Sequence, residues 1–293
     1  MNRHTDVAEL DHKFITQGSR IGKNGRLIVK AIKRNERTEL IPVYRRIPYQ
    51  WQGFHYQDGD DQPFLQLHHS AGGLTNGDTA GFRLSANPGT RTLITTTEAT
   101  RFYRTETEEP SHEIFDFTIG PGSYLEYLPD ETIPYRESKV RRETVFNISS
   151  NSHLIATDIL SGGRLAYRCG EMFDFDTFNS NTVVKVDGRK IFVDDLALDA
   201  VSGPLVLDSW MGHQVLATLI CFSNLLTKAQ LDELINCLSK IPEIKFGASF
   251  RAGLLVIKVL SQETWIAHEA VHCVWAILRP KVFEKPSRKI VKG

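Results

Sequence analysis

The residues His268-Glu269-Ala-Val-His272 spell H-E-x-x-H. At that spacing two imidazoles one helical turn apart can share a zinc ion while the glutamate activates a bound water. A catalytic zinc needs a third protein ligand. The extended pattern fails, because Trp275 stands where it needs glycine and Leu278 where it needs histidine. Downstream the only carboxylate is Glu284, beyond Pro280. A zinc hydrolase acting through His268 and His272 is therefore the alternative reading, not the leading one. No G-x-S-x-G, no phosphate-binding G-x-x-x-x-G-K-[ST] and no G-x-G-x-x-G after a strand accompanies it. The cysteines Cys169, Cys221, Cys237 and Cys273 form no C-x-x-C pair, so free thiols in a reducing compartment are expected. A second unusual stretch is Leu67–Asp78, where Gly72, Gly73 and Gly77 bend the chain sharply and aim Asp78 at a fixed point. An Asx-type turn capped by Asp78 would serve as well.

Most of the elements that must position these residues are strands. Runs rich in Val, Ile, Thr, Phe and Tyr recur at Arg26–Ile32, Arg91–Thr97, Glu113–Ile119, Thr144–Ser149, His153–Leu160, Thr182–Val186, Ile191–Leu198 and Val215–Phe222. Gly, Asn, Asp and Pro punctuate them, and Asp187-Gly188 marks a hairpin. Two segments read as helices. Thr227-x-x-Gln230 is a capping box, followed by Leu231, Leu234, Ile235 and Leu238 and stopped by Pro242. The other starts near Ser261, carries Ala267, Ala270, Val271, Val274 and Leu278 as its apolar stripe, and is expected to end at Pro280. A hairpin is expected between them, around Arg251-Ala-Gly253. The fold class is mainly β: a single stacked-sheet, β-helical-like domain over 1–293 with two helices near its C-terminal end.

Thirty-five basic and 35 acidic residues cancel in a chain of 293 that is 41% hydrophobic, so no global field favours nucleic acid. No run approaches the ~18 apolar residues of a membrane span, and the mixed charges of Met1–Leu10 do not suit a secretory signal. Charge is nevertheless uneven. Residues 1–50 carry eleven basic and five acidic side chains and residues 279–293 carry six and one, so the middle holds 18 basic against 29 acidic. An acidic body attracts cations, although a solvated surface would show the same balance.

Six segments in one order carry a resemblance. Gly72-Gly-Leu-Thr-Asn-Gly-Asp78 is similar to a GG-x-x-GGD motif, and Leu93-Ile-Thr with Ala99-Thr-Arg-Phe-Tyr-Arg104 to "LIT…A-[ST]-K-F-Y-R". Leu125-Glu126-Tyr-Leu-Pro129 is similar to "LEWLPQ", and Asp158–Arg164 with Gly170-Glu171-x-Phe173 to "D…LGR…GE-x-F". Ala248–Leu260 and Trp275-Ala-Ile-Leu-Arg-Pro280 complete the series. Together they resemble the urease accessory protein family UreD, also called UreH. Asn76 replaces a glycine of the motif, which a residue tolerant of left-handed backbone can do. Ser161 stands where the family commonly has cysteine.

The resemblance implies a non-enzymatic, cytoplasmic chaperone for nickel insertion that binds UreF, through it UreG, and apo-urease, with neither nucleic acid nor membrane as partner. It implies no tightly bound cofactor, only transient Ni²⁺ passing through an interior tunnel, with Asp78, Thr100, Glu126, Asp158 and Asp194 matching polar residues along or beside it. In the strand Ile191–Leu198, Asp194 would face away from Val193. Trp275 and Arg279, expected on an exposed stripe of the last helix, would be anchors for UreF. A β-rich interaction protein without a metal role is the remaining alternative.

Overall fold

The β-branched and aromatic runs form strands that alternate between two sheets as the chain advances. The computed structural model describes residue 14 and residues 22–167, 170–200, 203–290 and 292. The strands are β1 (Asn24–Arg34), β2 (Arg37–Arg46), β3 (Tyr49–Gln50), β4 (His55–Tyr56), β5 (Pro63–His69), β6 (Thr79–Ala86), β7 (Arg91–Thr96), β8 (Thr100–Phe102) and β9 (Ser111–Ile119). Then follow β10 (Tyr124–Tyr127), β11 (Thr132–Pro134), β12 (Lys139–Ile148), β13 (His153–Ser161), β14 (Thr177–Val186) and β15 (Arg189–Asp199). A short helix α1 (Gly203–Ser209) precedes β16 (Val215–Phe222), α2 (Lys228–Leu238), β17 (Ile244–Arg251), β18 (Leu254–Ser261) and α3 (Thr264–Val282). Every strand-like run of the sequence falls on a strand. The helix α1 was not anticipated.

One sheet has the order β15-β14-β12-β9-β6-β1-β2, and the main path of the other is β17-β18-β16-β13-β10-β7-β5-β3. Pairs β1–β6, β6–β9, β9–β12 and β12–β14 are parallel, as are β5–β7, β7–β10 and β10–β13. Each circuit of the chain thus lays one strand on each sheet, and the next circuit stacks beside it. That is the stacked, β-helical-like architecture expected. Hairpins close it: β14 and β15 turn at Asp187-Gly188, both in left-handed backbone, and β17 and β18 turn at Ala252-Gly253.

Parallel strands buried between layers put inward residues in register. Phe82, Phe117, Phe146 and Phe178 come from four neighbouring strands and are fully or nearly fully buried between the sheets. Phe117 and Phe146 stack with centroids 4.9 Å apart. A second core lies on the outer face of the larger sheet, where Leu234 and Leu238 of α2 and Ala267, Val274, Trp275 and Leu278 of α3 cover Ile155, Ile159 and Leu219.

The capping box holds, with Gln230 Oε1 accepting the Thr227 backbone N–H at 2.6 Å. The end of α3 differs from expectation, because the helix passes through Pro280 to Val282. Proline costs one intrahelical bond there. Buried Val282 and Phe283, and the Phe283 N–H bonded to the Arg279 carbonyl, hold the last turn in place. Cys237 of α2 and Cys273 of α3 are joined in a disulfide with Cα atoms 6.6 Å apart, in place of the free thiols expected. Helix packing sets these two cysteines face to face, and their 36-residue separation gave no hint of it. Cys221 is free and buried, which pushes its thiol pKa up, and Cys169 lies outside the described residues.

Candidate functional site

A line of polar groups crosses the layer between the two sheets. Glu113 of β9 sits opposite Arg142 of β12 in the parallel ladder, and both point inward with the phenylalanines. Arg142 Nε donates to Glu113 Oε2 at 3.0 Å. Its Nη1 donates to both carboxylate oxygens of Asp158 in β13, at 2.9 and 3.1 Å, which bridges the two sheets. The Tyr49 hydroxyl of β3 donates to Glu113 Oε1 at 2.8 Å. Burial alone would lower the Arg142 pKa, but Asp158 and Glu113 raise it overall, so the guanidinium stays charged. Burial also lifts the phenols of Tyr49 and Tyr127 well above their ordinary range.

The line ends in a cavity on each side. Asp158 and Asp194 share one of about 30 Å³ with Tyr127, Thr157, Thr182 and Thr218, room for bound water. Asp194 falls on the inner face of β15, whereas Val193 is 51% exposed, and Lys258 of β18 donates to Asp194 Oδ1 at 2.7 Å. The buried Tyr127 hydroxyl of this cavity has no hydrogen-bond partner among the described residues. At the other end a narrow cavity is lined by Tyr49, His69, Gly72, Gly73 and Thr100. Gly73 has to be glycine here, since a Cβ would come within 2.5 Å of the Arg101 carbonyl oxygen. The His69 ring meets Tyr49 edge-on at 5.5 Å, and neither of its nitrogens has a hydrogen-bond partner among the described residues.

Of the residues singled out from the sequence, Asp158 and Asp194 are brought together, and Gly72, Gly73 and Thr100 meet at the opposite end of the same line. Asp158 lies within β13. Asp78 is apart and caps its own turn, accepting from the Lys23 and Thr75 backbone N–H groups at 2.8 and 3.3 Å. Asn76 and Gly77 supply the left-handed backbone of that turn.

Glu126 belongs to a different network. It is wholly buried and accepts from Trp275 Nε1 at 2.5 Å, Gln62 Nε2 at 2.8 Å and Arg279 Nε at 3.0 Å. Burial raises its pKa, opposed by Arg279 and these hydrogen bonds. Trp275 and Arg279 are 1% and 0% exposed, which corrects the expectation of an exposed stripe. Arg279 also donates to Asp58 Oδ2 at 2.6 Å and to the Pro286 carbonyl at 2.7 Å. The two side chains lie on the flank of α3, where the loop before β5 and the chain after α3 cover them. They present no free surface to a partner. His268 and His272 do not converge on one point: His268 Nε2 meets Glu131, His272 Nε2 meets the Arg288 carbonyl, and Glu269 is exposed.

Sequence reading missed Tyr49, His69, Glu113 and Arg142. For two of them a signal existed. Glu113 shares the parity of Phe115 and Phe117, and Arg142 that of Val140 and Phe146, so period-2 alternation already placed both charges inward.

Burial lowers the His69 pKa from 6.5 to about 4, only partly offset by Asp78 and Glu98. Between those values the unfolded chain binds a proton that the folded chain refuses. Stability should therefore fall as pH drops from about 6.5 to about 4, by on the order of 2 kcal/mol. Urea denaturation across this window should show the slope, and His69→Leu should flatten it; an equal slope in the variant would refute the assignment.

Comparison with known proteins adds the following. A family model described as UreD urease accessory protein matches residues 23–291. The chain is 30% identical over 269 residues to Urease accessory protein UreD 2 of Brucella canis, covering 89% of this chain and 88% of that one. It is 30% identical to Urease accessory protein UreD of Dechloromonas aromatica, covering 87% and 88%. With the protein of that name from Yersinia enterocolitica it shares 26% identity, covering 89% and 84%.

Proposed function

The chain belongs to the UreD family of urease accessory proteins, and from that premise we propose that it is a non-enzymatic scaffold that passes nickel through its own interior to apo-urease. One observation carries this reading: the line Tyr49–Glu113–Arg142–Asp158, buried up to its partly exposed end at Asp158, with a cavity at each end. A dry β core has no use for such groups, because charges withdrawn from water cost several kcal/mol each unless paired. Along this line Glu113, Asp158 and Asp194 face Arg142 and Lys258, which leaves one negative charge in excess. That excess lowers the cost of bringing a dication inside.

Ni²⁺ accepts carboxylate, hydroxyl and imidazole ligands, and all three line the two ends, with His69 free to offer a ring nitrogen. Nickel is cargo here and not a resident cofactor. UreF, UreG bound through it, and apo-urease are the proposed partners, and the cytoplasm is the proposed location. Among the described residues no helix is long and apolar enough to cross a membrane.

The test is co-expression with urease and the other accessory proteins. Asp194→Asn breaks only a partly exposed ion pair worth about 1 kcal/mol or less, so the protein should fold and retain its partners in a pull-down. Nickel per urease active site should fall to about half or below, and further in the Asp158→Asn, Asp194→Asn double variant, as the anionic lining is lost. Full loading in both, with the variants folded, would reject the interior route and leave the scaffold role standing.

A further inference from the structure

A separate cluster lies on the outer side of the larger sheet, away from the interior line. Asp130 and Glu131 are consecutive in the loop between β10 and β11, and His268 projects onto them from the second turn of α3. One ligand atom of each lies within 4.8 Å of the others. Backbone bonds fix the loop, since the Asp130 N–H donates to Thr96 Oγ1 at 2.9 Å and the Glu131 carbonyl accepts the Thr100 N–H at 2.9 Å. The helix fixes His268. Such pre-positioning distinguishes a ligand set from a chance meeting of surface charges.

We propose that Asp130, Glu131 and His268 form a binding site for one divalent first-row transition cation. One imidazole and two carboxylates suit Zn²⁺, Co²⁺ or Ni²⁺ and leave positions open for water. Atoms sharing one such ion lie about 3–4 Å apart, a small side-chain rotation from the present arrangement. The place of the cation is already marked by charge, because the Lys292 ammonium is ion-paired with Asp130 Oδ1. His268 Nε2 lies 2.8 Å from Glu131 Oε2. Asp130 and His268 line a cavity of about 190 Å³ that His272 also lines, one helical turn further on. Binding replaces the His268–Glu131 hydrogen bond with two bonds to the ion and expels Lys292, so the lysine is a built-in competitor. This differs from the H-E-x-x-H arrangement, because the carboxylates come from a strand loop and Glu269 takes no part.

The experiment is equilibrium dialysis of the full chain against Zn²⁺ and Ni²⁺ at one fixed pH, with melting curves to confirm folding. Wild type should hold one ion that His268→Ala and Glu131→Gln lose, with affinity falling by at least the roughly 10–100-fold that loss of a mere supporting group costs. Glu269→Gln should bind as wild type does. Lys292→Met should bind several-fold more tightly, a gain that misfolding cannot imitate. Equal affinity in wild type and His268→Ala would overturn the site, as would an unchanged or weaker Lys292→Met, or loss of the ion in Glu269→Gln. Because no interior residue is altered, these outcomes are independent of nickel loading of urease.

Discussion

Arg279→Ala should lower the stability of this protein by about 3–5 kcal/mol, and its melting temperature by roughly 10 °C. The guanidinium is wholly buried and serves Glu126, Gln62, Asp58 and the Pro286 carbonyl together. Without it Glu126 is a carboxylate sealed from water with only neutral donors left. The cost lies in that stranded charge more than in the lost attraction, and this supplies the check. Removing both charges, as Glu126→Leu with Arg279→Met, should recover most of the loss, since apolar groups of similar volume replace a buried pair at little net cost. Differential scanning calorimetry of the three proteins decides it. A drop below about 2 °C in Arg279→Ala would mean that water reaches Glu126 and that the network seals nothing. Because these residues fasten α3 to β10 and to the loop before β5, lost partner binding in such variants would report a displaced helix. It would not show direct contact through Trp275 or Arg279.

Arg142→Met should be about as damaging, again about 3–5 kcal/mol, with a different signature. It leaves Glu113 between the sheets with only the Tyr49 hydroxyl, while Asp158, 35% exposed at its side chain, can turn to water. Glu113→Gln in the same chain should therefore restore stability, and Asp158→Asn should not. Denaturant midpoints of the two double variants separate these outcomes, and equal rescue by both would contradict the asymmetry of burial. In the rescued protein the interior line has lost the Arg142 charge and one carboxylate, so nickel loading measured there asks what those charges do once folding is secured.

Much of this protein was legible in its sequence wherever the information is local. Asp187-Gly188 fixed a hairpin because consecutive left-handed residues suit its turn, and Thr227 with Gln230 fixed the start of α2. Period-2 alternation placed Asp194 inward and Val193 outward before any neighbour was known. Six ordered motifs pointed to the family that the comparisons then established. The apolar stripe of α3 told which face meets the sheet, but not how far that cover extends. Trp275 and Arg279 sit on its flank, and only the loop carrying Asp58 and Gln62 and the chain after α3 bury them. The same holds for both candidate sites. Glu113 meets Arg142 through the register of two parallel strands whose connection passes through the other sheet, and no local rule sets that register. His268 lacked a third ligand along its own helix, and the fold supplies Asp130 and Glu131 from a loop more than a hundred residues upstream. Alternation and capping are decided by a few neighbouring bonds. Which distant charges meet depends on how the layers stack, and that is settled only when the whole core closes.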